Sequence, residues 1–394
     1  MFKGNKNLFI IAVIAVVNAL GYGIIIPILY SYSQKYGLSD FQNGLLFAVF
    51  AICQFASTPI IGRLSDRYGR RPLLLISLAG TFISFIMMAF APSALFLFLA
   101  RALDGITAGN IPVASAVISD TTPPHERARG FGIIGAAFGF GFVFGPAISA
   151  LTLGFGESIP FLIAAAVTAV AIVLTAISLP ETNKHIGDIS QSKLFDFRKL
   201  ALHLFDEKVG KTLLISFLYA FAFFLFVYAY QPFSVKVLHL SPQSISLIFT
   251  MIGVVGFVSQ VLIIPRVVKK YGDRTSLMGS LVATAITFLG FFLSRTAATF
   301  ISMTGLNAVA NSFVGPMTQT LLSKEVDEKS QGTIQGVNSS YVSLGQIAGP
   351  IVGGIVATIS ITAPFLLGCV ICAFCAYLGW TLAQKPLARE NISP

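Results

Sequence analysis

The chain has 394 residues, 55% of them hydrophobic and only 11% charged, with a formal net charge of +10. A soluble domain carries about 25% charged residues, so this composition excludes soluble enzymes, nucleic-acid-binding modules and disordered scaffolds. In so apolar a chain the positive excess reads as membrane topology, not as affinity for nucleic acid.

A helix needs about 20 apolar residues to cross the hydrocarbon core. Runs of that length recur near residues 8–30, 40–62, 72–91, 94–119, 130–153, 158–179, 210–232, 243–264, 275–294, 297–322, 332–357 and 361–383. Twelve spans predict an all-α integral membrane protein. The first run is too long for a cleavable signal peptide and carries Gly21, Gly23 and Pro27. Pro92-Ser93 supplies the turn between spans 3 and 4, and the break between the last two spans falls near Ser360–Pro364. The longest polar segment, 181–209, divides the chain into an N-terminal bundle (1–180) and a C-terminal bundle (210–394). Within it, residues 194–205 present an apolar helical face opposite charges, as a helix lying on a membrane surface does.

Of the 26 Lys and Arg residues, only Lys35, Lys236 and Arg295 fall on one side; Arg101 is inside a span and the rest share the other side. By the positive-inside tendency both termini are expected in the cytoplasm. The halves also repeat. Gly62-Arg63-Leu64-Ser65-Asp66-Arg67-Tyr68-Gly69-Arg70-Arg71 follows span 2, and Pro265-Arg266-Val267-Val268-Lys269-Lys270-Tyr271-Gly272-Asp273-Arg274 follows span 8, offset by 203. Pro112 matches Pro316 and Gly145-Pro146 matches Gly349-Pro350, both offset by 204. Two six-helix repeats are the mark of a transporter with its site at the repeat interface.

Arg101 and Asp104 are the ionisable residues well inside a span. Spacing three puts them on one helix face, and Asp104 lies about 15 Å from the start of span 4 at 1.5 Å per residue. Intramembrane charges are costly and functional by default. Asp104 is therefore a candidate proton-coupling site, with Arg101 tuning it; the alternative is a permanent structural pair orienting span 4. In the first repeat's polar segment Asp66 sits in an inner loop amid Arg67, Arg70 and Arg71, with Gly62 and Gly69 allowing close backbone approach and Asp120 near enough to join. On its residues alone that cluster is a positive-inside anchor, though its carboxylate could sit against the positive N-terminus of span 11 near Gly332. Gly141, Gly145 and Pro146 in span 5, and Gly345, Gly349 and Pro350 in span 11, either shape an interface along which the halves rock or permit close packing. Mid-span amides must face the bundle interior. They make Asn18, Gln54, Asn110, Gln231, Gln260, Asn307, Asn311, Gln335, Asn338 and Gln346 candidate substrate contacts, with Tyr219, Phe223, Phe226, Tyr228 and Tyr230 as aromatic surface in span 7. Cys53, Cys369, Cys372 and Cys375 lie in apolar stretches without nearby His or acids and read as fillers, so no metal site is expected.

These motifs carry a resemblance. Gly62–Pro72 resembles the signature loop of the major facilitator superfamily, which implies that Asp66 with Arg67, Arg70 and Arg71 forms a latch between the halves, and Arg101–Gly109 is similar to its span-4 motif. Gly141–Pro146 and Gly345–Gly354 resemble the span-5 motif of drug/proton antiporters, and Gly21–Leu29 their span 1. Ile118–Thr122 and Pro180-Glu181-Thr182 resemble the tetracycline-resistance exporters. The chain departs from the latter at Asn18, where they carry an acid. The resemblance implies a twelve-span, proton-coupled exporter of amphipathic small molecules working by alternating access, monomeric, in a bacterial inner membrane. Its partners would be the bilayer, its substrate and protons. A metabolite, sugar or lipid carrier of the same fold is the alternative, and a non-transporting receptor the reading from another class. Neither a Walker loop nor a hydrolase motif is present in the sequence, so no ATP, no cofactor and no enzymatic activity are expected.

Overall fold

A computed structural model describes residues 6–123, 126–183, 202–327 and 330–384. Its elements are helices whose breaks follow from proline and glycine. The apolar run of span 1 forms α1 (Lys6–Ile25), stops before Pro27, and resumes as α2 (Leu29–Gln34). Pro27 has no N–H to donate, and its ring crowds the carbonyl four residues back. Span 2 is α3 (Asp40–Tyr68), opened by a capping box between Ser39 and Gln42. The segment expected as a loop is helical: α3 continues through Asp66 to Tyr68, and Gly69 alone separates it from α4 (Arg70–Ala89). A one-residue link needs an unusual backbone angle, and Gly69 has φ +102°. The second repeat does the same at Gly272, φ +77°.

Span 4 is interrupted. α5 (Ala94–Thr107) ends at Ala108-Gly109, and α6 (Asn110–Thr121) follows. Pro112 leaves the Ala108 carbonyl without its helical donor, and Gly109 weakens the helix at the same point. Then come α7 (Arg127–Thr152) and α8 (Ile159–Ser178). In the second repeat α9 (Gly210–Lys236) is span 7. Span 8 is α10 (Pro242–Val258), a π turn at Ser259–Ile263, and α11 (Ile264–Tyr271). The last four spans are α12 (Asp273–Leu293), α13 (Ala297–Glu325), α14 (Gln331–Ile359) and α15 (Ala363–Ala383). Among the described residues eleven helical stretches are long and apolar enough to cross a membrane. The twelfth, α13, is long enough but carries Asn307, Asn311 and a charged last turn. The surface helix expected over 194–205 falls mainly on residues outside those described.

The described residues form two compact units, one within Met1–Phe195 and Tyr230–Gly253, the other within Asp196–Ala229 and Val254–Pro394. The first is built on Ile11, Ile14, Leu74, Leu78 and Val117 and on Leu46, Phe85, Leu97 and Phe161. The second is built on Leu277, Leu281, Val314 and Cys375. Residues 230–253 group with the first unit for local reasons. Gln231 inserts into the Pro27 break: its Oε1 accepts the Tyr30 N–H at 3.0 Å, and its Nε2 donates to the Ile26 carbonyl. In an unbroken helix those two backbone groups would bond each other. Lys236 Nζ lies 2.8 Å from both carboxylate oxygens of Asp40, which also accepts from the Tyr30 hydroxyl at 2.7 Å.

The glycines of spans 5 and 11 sit in tight helix contacts inside one unit each. A Cβ on Gly145 would lie 2.8 Å from the Gly23 backbone of α1, and one on Gly141 would strike Ala19. A Cβ on Gly349 would lie 2.7 Å from the Phe221 carbonyl of α9, and one on Gly345 would lie 2.7 Å from Ala220 Cβ. The 204-residue offset thus survives as a shared packing solution, α7 on α1 and α14 on α9. Gly62 does not fit its expectation: a Cβ there meets nothing within 4 Å, so no close approach requires it.

Gly145→Val and Gly349→Val should each cost about 1–3 kcal/mol by overpacking. Gly62→Ala should leave stability unchanged or raise it by up to about 1 kcal/mol through helix propensity. Gln231→Ala should cost about 1–3 kcal/mol by orphaning two backbone groups. Thermal unfolding of the purified protein in detergent reads all four.

Candidate functional site

In the first unit, α5 carries Arg101 and Asp104 on one face. The guanidinium Nη1 lies 3.2 Å from Asp104 Oδ2, and both residues are buried, 3% and 7% exposed. The Phe50 ring of α3 sits 4.3 Å from the Arg101 guanidinium carbon, close enough for a cation–π contact in a dry site. The hydroxyls of Thr81 and Ser84 on α4 face the carboxylate. Arg101 Nε has no hydrogen-bond partner among the described residues. A buried pair of this kind is costly to desolvate, and removing one partner leaves the other charge uncompensated, typically at 3–5 kcal/mol. A carboxylate among hydroxyls and one guanidinium has the chemistry to take up and release a proton. Two amides sit on neighbouring helices: Asn18 of α1 donates to Asn110 Oδ1 at the start of α6, 2.5 Å. Asn110 Nδ2 has no partner among the described residues.

The α3–α4 turn holds a second charged cluster. Arg70 Nη1 lies 2.6 Å from Asp66, one helical turn earlier, and Arg70 Nε lies 3.1 Å from Asp120 at the end of α6. Arg70 also donates to Ser65 Oγ at 2.7 Å. Arg67 stacks over Tyr68 instead, and Arg71 donates to the Ala176 carbonyl. Glu181, just after α8, accepts from the backbone N–H groups of Arg70 at 2.9 Å and Arg71 at 3.1 Å. It also accepts from those of Thr182 and Asn183. A side chain at Gly69 would collide with its carboxylate. In the sequence Glu181 stands only within the Pro180-Glu181-Thr182 motif, which assigns it no contact of its own. The available signal was the start of α4, where Gly69 offers no capping side chain for the first free N–H groups. Partial burial pushes the Glu181 carboxyl up, but the four N–H donors outweigh it and hold it below the ordinary value.

The second unit holds a polar chain where span 10 mirrors span 4. Tyr219 of α9 donates to Asn311 Oδ1 at 3.1 Å, Asn311 donates to Asn307 Oδ1 at 2.5 Å, and Asn307 donates to Thr287 Oγ1 at 2.7 Å. Asn338 is buried, with its Oδ1 lacking a partner among the described residues. Gln335 is half-buried and reaches the Gln319 carbonyl at 3.4 Å. Gln54 and Gln346 are half-buried, and Gln260 is exposed within the π turn. Gln231 stands apart because its amide is spent on backbone. Of the span-7 aromatics, Phe223 stacks on Tyr219. Phe226, Tyr228 and Tyr230 are buried packing residues, Phe226 against Phe288 and Phe291, and Tyr230 against Phe249.

Apolar helices in two repeats, with an ion pair buried in one and amide chains in both, define a polytopic membrane transporter rather than an enzyme. The family model of the Major Facilitator Superfamily matches residues 11–233 and 212–393. The tetracycline resistance protein, class H, of Pasteurella multocida is 27% identical and covers 99% of each chain. Multidrug resistance protein 2 of Bacillus subtilis is 30% identical over 92% of this chain and 91% of its own. In fold, the chain is similar to a bacterial homolog of the human lysosomal transporter Spinster, with a TM-score of 0.78 at 16% identity, covering 96% and 97% of the two chains. This chain belongs to the Major Facilitator Superfamily.

A depressed carboxyl stabilises the fold above its ordinary value, near 4.5 here, and loses that contribution as pH falls through the lowered one. Glu181→Gln should therefore cost about 1 kcal/mol at neutral pH, the scale of an anion at a helix N-terminus. The gap to the parent protein should close on acidification, read as melting temperature against pH.

Proposed function

We propose that the chain exports amphipathic, mostly apolar small molecules in exchange for protons, by alternating access, as a monomer in a bacterial inner membrane with both termini cytoplasmic. The observation that carries this reading is the Arg101–Asp104 pair, which holds the carboxylate found deep in a span among the described residues. A proton on Asp104 frees Arg101 from its partner. Deprotonation restores the pair, so protonation and the arrangement of α5 are linked. The relatives' names, tetracycline and multidrug resistance, support export of drug-like molecules. A single acid favours neutral or cationic substrates over anions. Asn18 and Asn110, with Tyr219, Asn307, Asn311 and Asn338, supply the polar contacts; Gln231 is set aside as a structural tie. Two six-helix repeats, 1–180 and 210–394, would rock about the segment between them. Asp66, Arg70 and Asp120, seated by Glu181, would latch the α3–α4 turn in one state of that cycle.

Asp104→Asn should abolish uptake of a lipophilic cationic dye driven by a pH gradient into inverted proteoliposomes, by at least about a hundredfold, the scale of a coupling energy near 3 kcal/mol. Dye counterflow without a gradient should persist. Normal gradient-driven uptake by the variant would overturn the coupling role, and absence of counterflow in the parent protein would overturn transport of this substrate class.

A further inference from the structure

The two repeats differ at one helix contact. In the first unit α3 lies hard against the α5–α6 break. A Cβ on Gly105 would sit 2.5 Å from the Phe50 carbonyl and 2.7 Å from Cys53 Cβ, one on Gly109 would strike Ile61, and the Ser57 hydroxyl donates to the Gly105 carbonyl at 3.0 Å. The 204-residue offset carries Gly105 to Val309 and Gly109 to Phe313. In the second unit Val309 and Phe313 instead share an apolar cluster with Ile264 and Val267 of span 8. Beside them lies a groove of about 560 Å³ walled by α11, α12 and α13, with Val309 and Phe313 in its lining.

The groove has the shape and chemistry of an acyl-chain site. Ser276, Ser280 and Thr287 line it, but each hydroxyl donates to a backbone carbonyl of its own helix region, Gly272, Leu277 and Thr284, at 2.7–2.8 Å. Apart from Thr275 and Tyr271 at one end, the rest of the lining is apolar: Val267, Gly279, Ala283, Ile286, Leu306, Ala310, Val309 and Phe313. Ile286 and Leu306 are exposed, and a Cβ on Gly279 would meet nothing within 4 Å. From Thr275 to Ile286 the lining runs about 17 Å along α12, close to one leaflet's share, about 15 Å, of the hydrocarbon core.

Its mouth is basic. Tyr271 lines the groove at the end of α11, and Lys270 Nζ lies 5.0 Å from its ring centroid. Lys269 and Lys270 are both exposed in that last turn. Asp273, the acid nearest them in sequence, is paired with Lys324 at 2.5 Å. Tyrosine and lysine at that level are interfacial anchors. We propose that this groove binds one anionic phospholipid from the leaflet on the Lys269 side, its phosphate on Lys269 and Lys270 and one acyl chain along Gly279, Ala283 and Ile286.

Native mass spectrometry of the full-length protein, with equal dioleoyl phosphatidylglycerol and dioleoyl phosphatidylcholine, tests this. One phosphatidylglycerol should be retained in preference to phosphatidylcholine. Lys269→Gln/Lys270→Gln should lower that preference by roughly thirtyfold, the scale of two basic residues at an anionic surface. Gly279→Leu should remove retention of both lipids, and Ala283→Leu, on the same wall, should do the same if the first variant does not fold. Equal retention of the two lipids, retention unchanged in a folded groove-filling variant, or displacement of the lipid by tetraphenylphosphonium, which would make the groove a cation site, overturns the proposal.

Discussion

The hydrocarbon core offers no hydrogen bonds, so a backbone group freed inside it must find a partner within the protein. Two breaks in these helices show how such groups are served. The Pro27 break is closed by Gln231, which stands between the Tyr30 N–H and the Ile26 carbonyl. The Gly69 turn is closed by Glu181, which takes the first N–H groups of α4. In each case a residue distant in sequence supplies the missing partner, and the two helices on either side of the break become fastened to a third.

The same rule ranks the charged groups. Arg70, Asp66 and Asp120 stand at helix ends, where water and neighbouring dipoles share the load, and their pairing is worth little by itself. Arg101 and Asp104 have no such relief: each is nearly inaccessible, and each is tolerable mainly because of the other. A pair whose partners are so mutually dependent responds sharply to one added proton. The Phe50 face and the Thr81 and Ser84 hydroxyls define what else surrounds that change.

Much of this was legible in the residues. Spacing three put Arg101 and Asp104 on one face, and the offsets of 203 and 204 marked the repeats that reappear at Gly69 and Gly272 and in the α7–α1 and α14–α9 contacts. Asp66 read as a loop residue because polarity at a helix end looks like a loop, while the turn itself needed only one glycine. Gly62 drew notice as part of a motif, yet a glycine's importance depends on what faces it, and nothing faces Gly62. Gln231 looked like any other buried amide, since the backbone groups it serves lie some 200 positions earlier in the chain. The groove beside α12 was also hidden: the offset of 204 sets Val309 and Phe313 against two glycines of the first repeat, but that they line a groove shows only in the structure.

The Gln231 tie also bears on how the protein is made. Its amide follows Tyr30 by 201 positions, which at synthesis rates of about 5–20 residues per second is a delay of roughly 10–40 s. During that interval the first span exists without the side chain that completes it. The Pro27 turn must meanwhile be served by water at the membrane surface or by the insertion machinery. Final seating of the first hydrophobic segment therefore belongs to the second half of translation, when the seventh arrives.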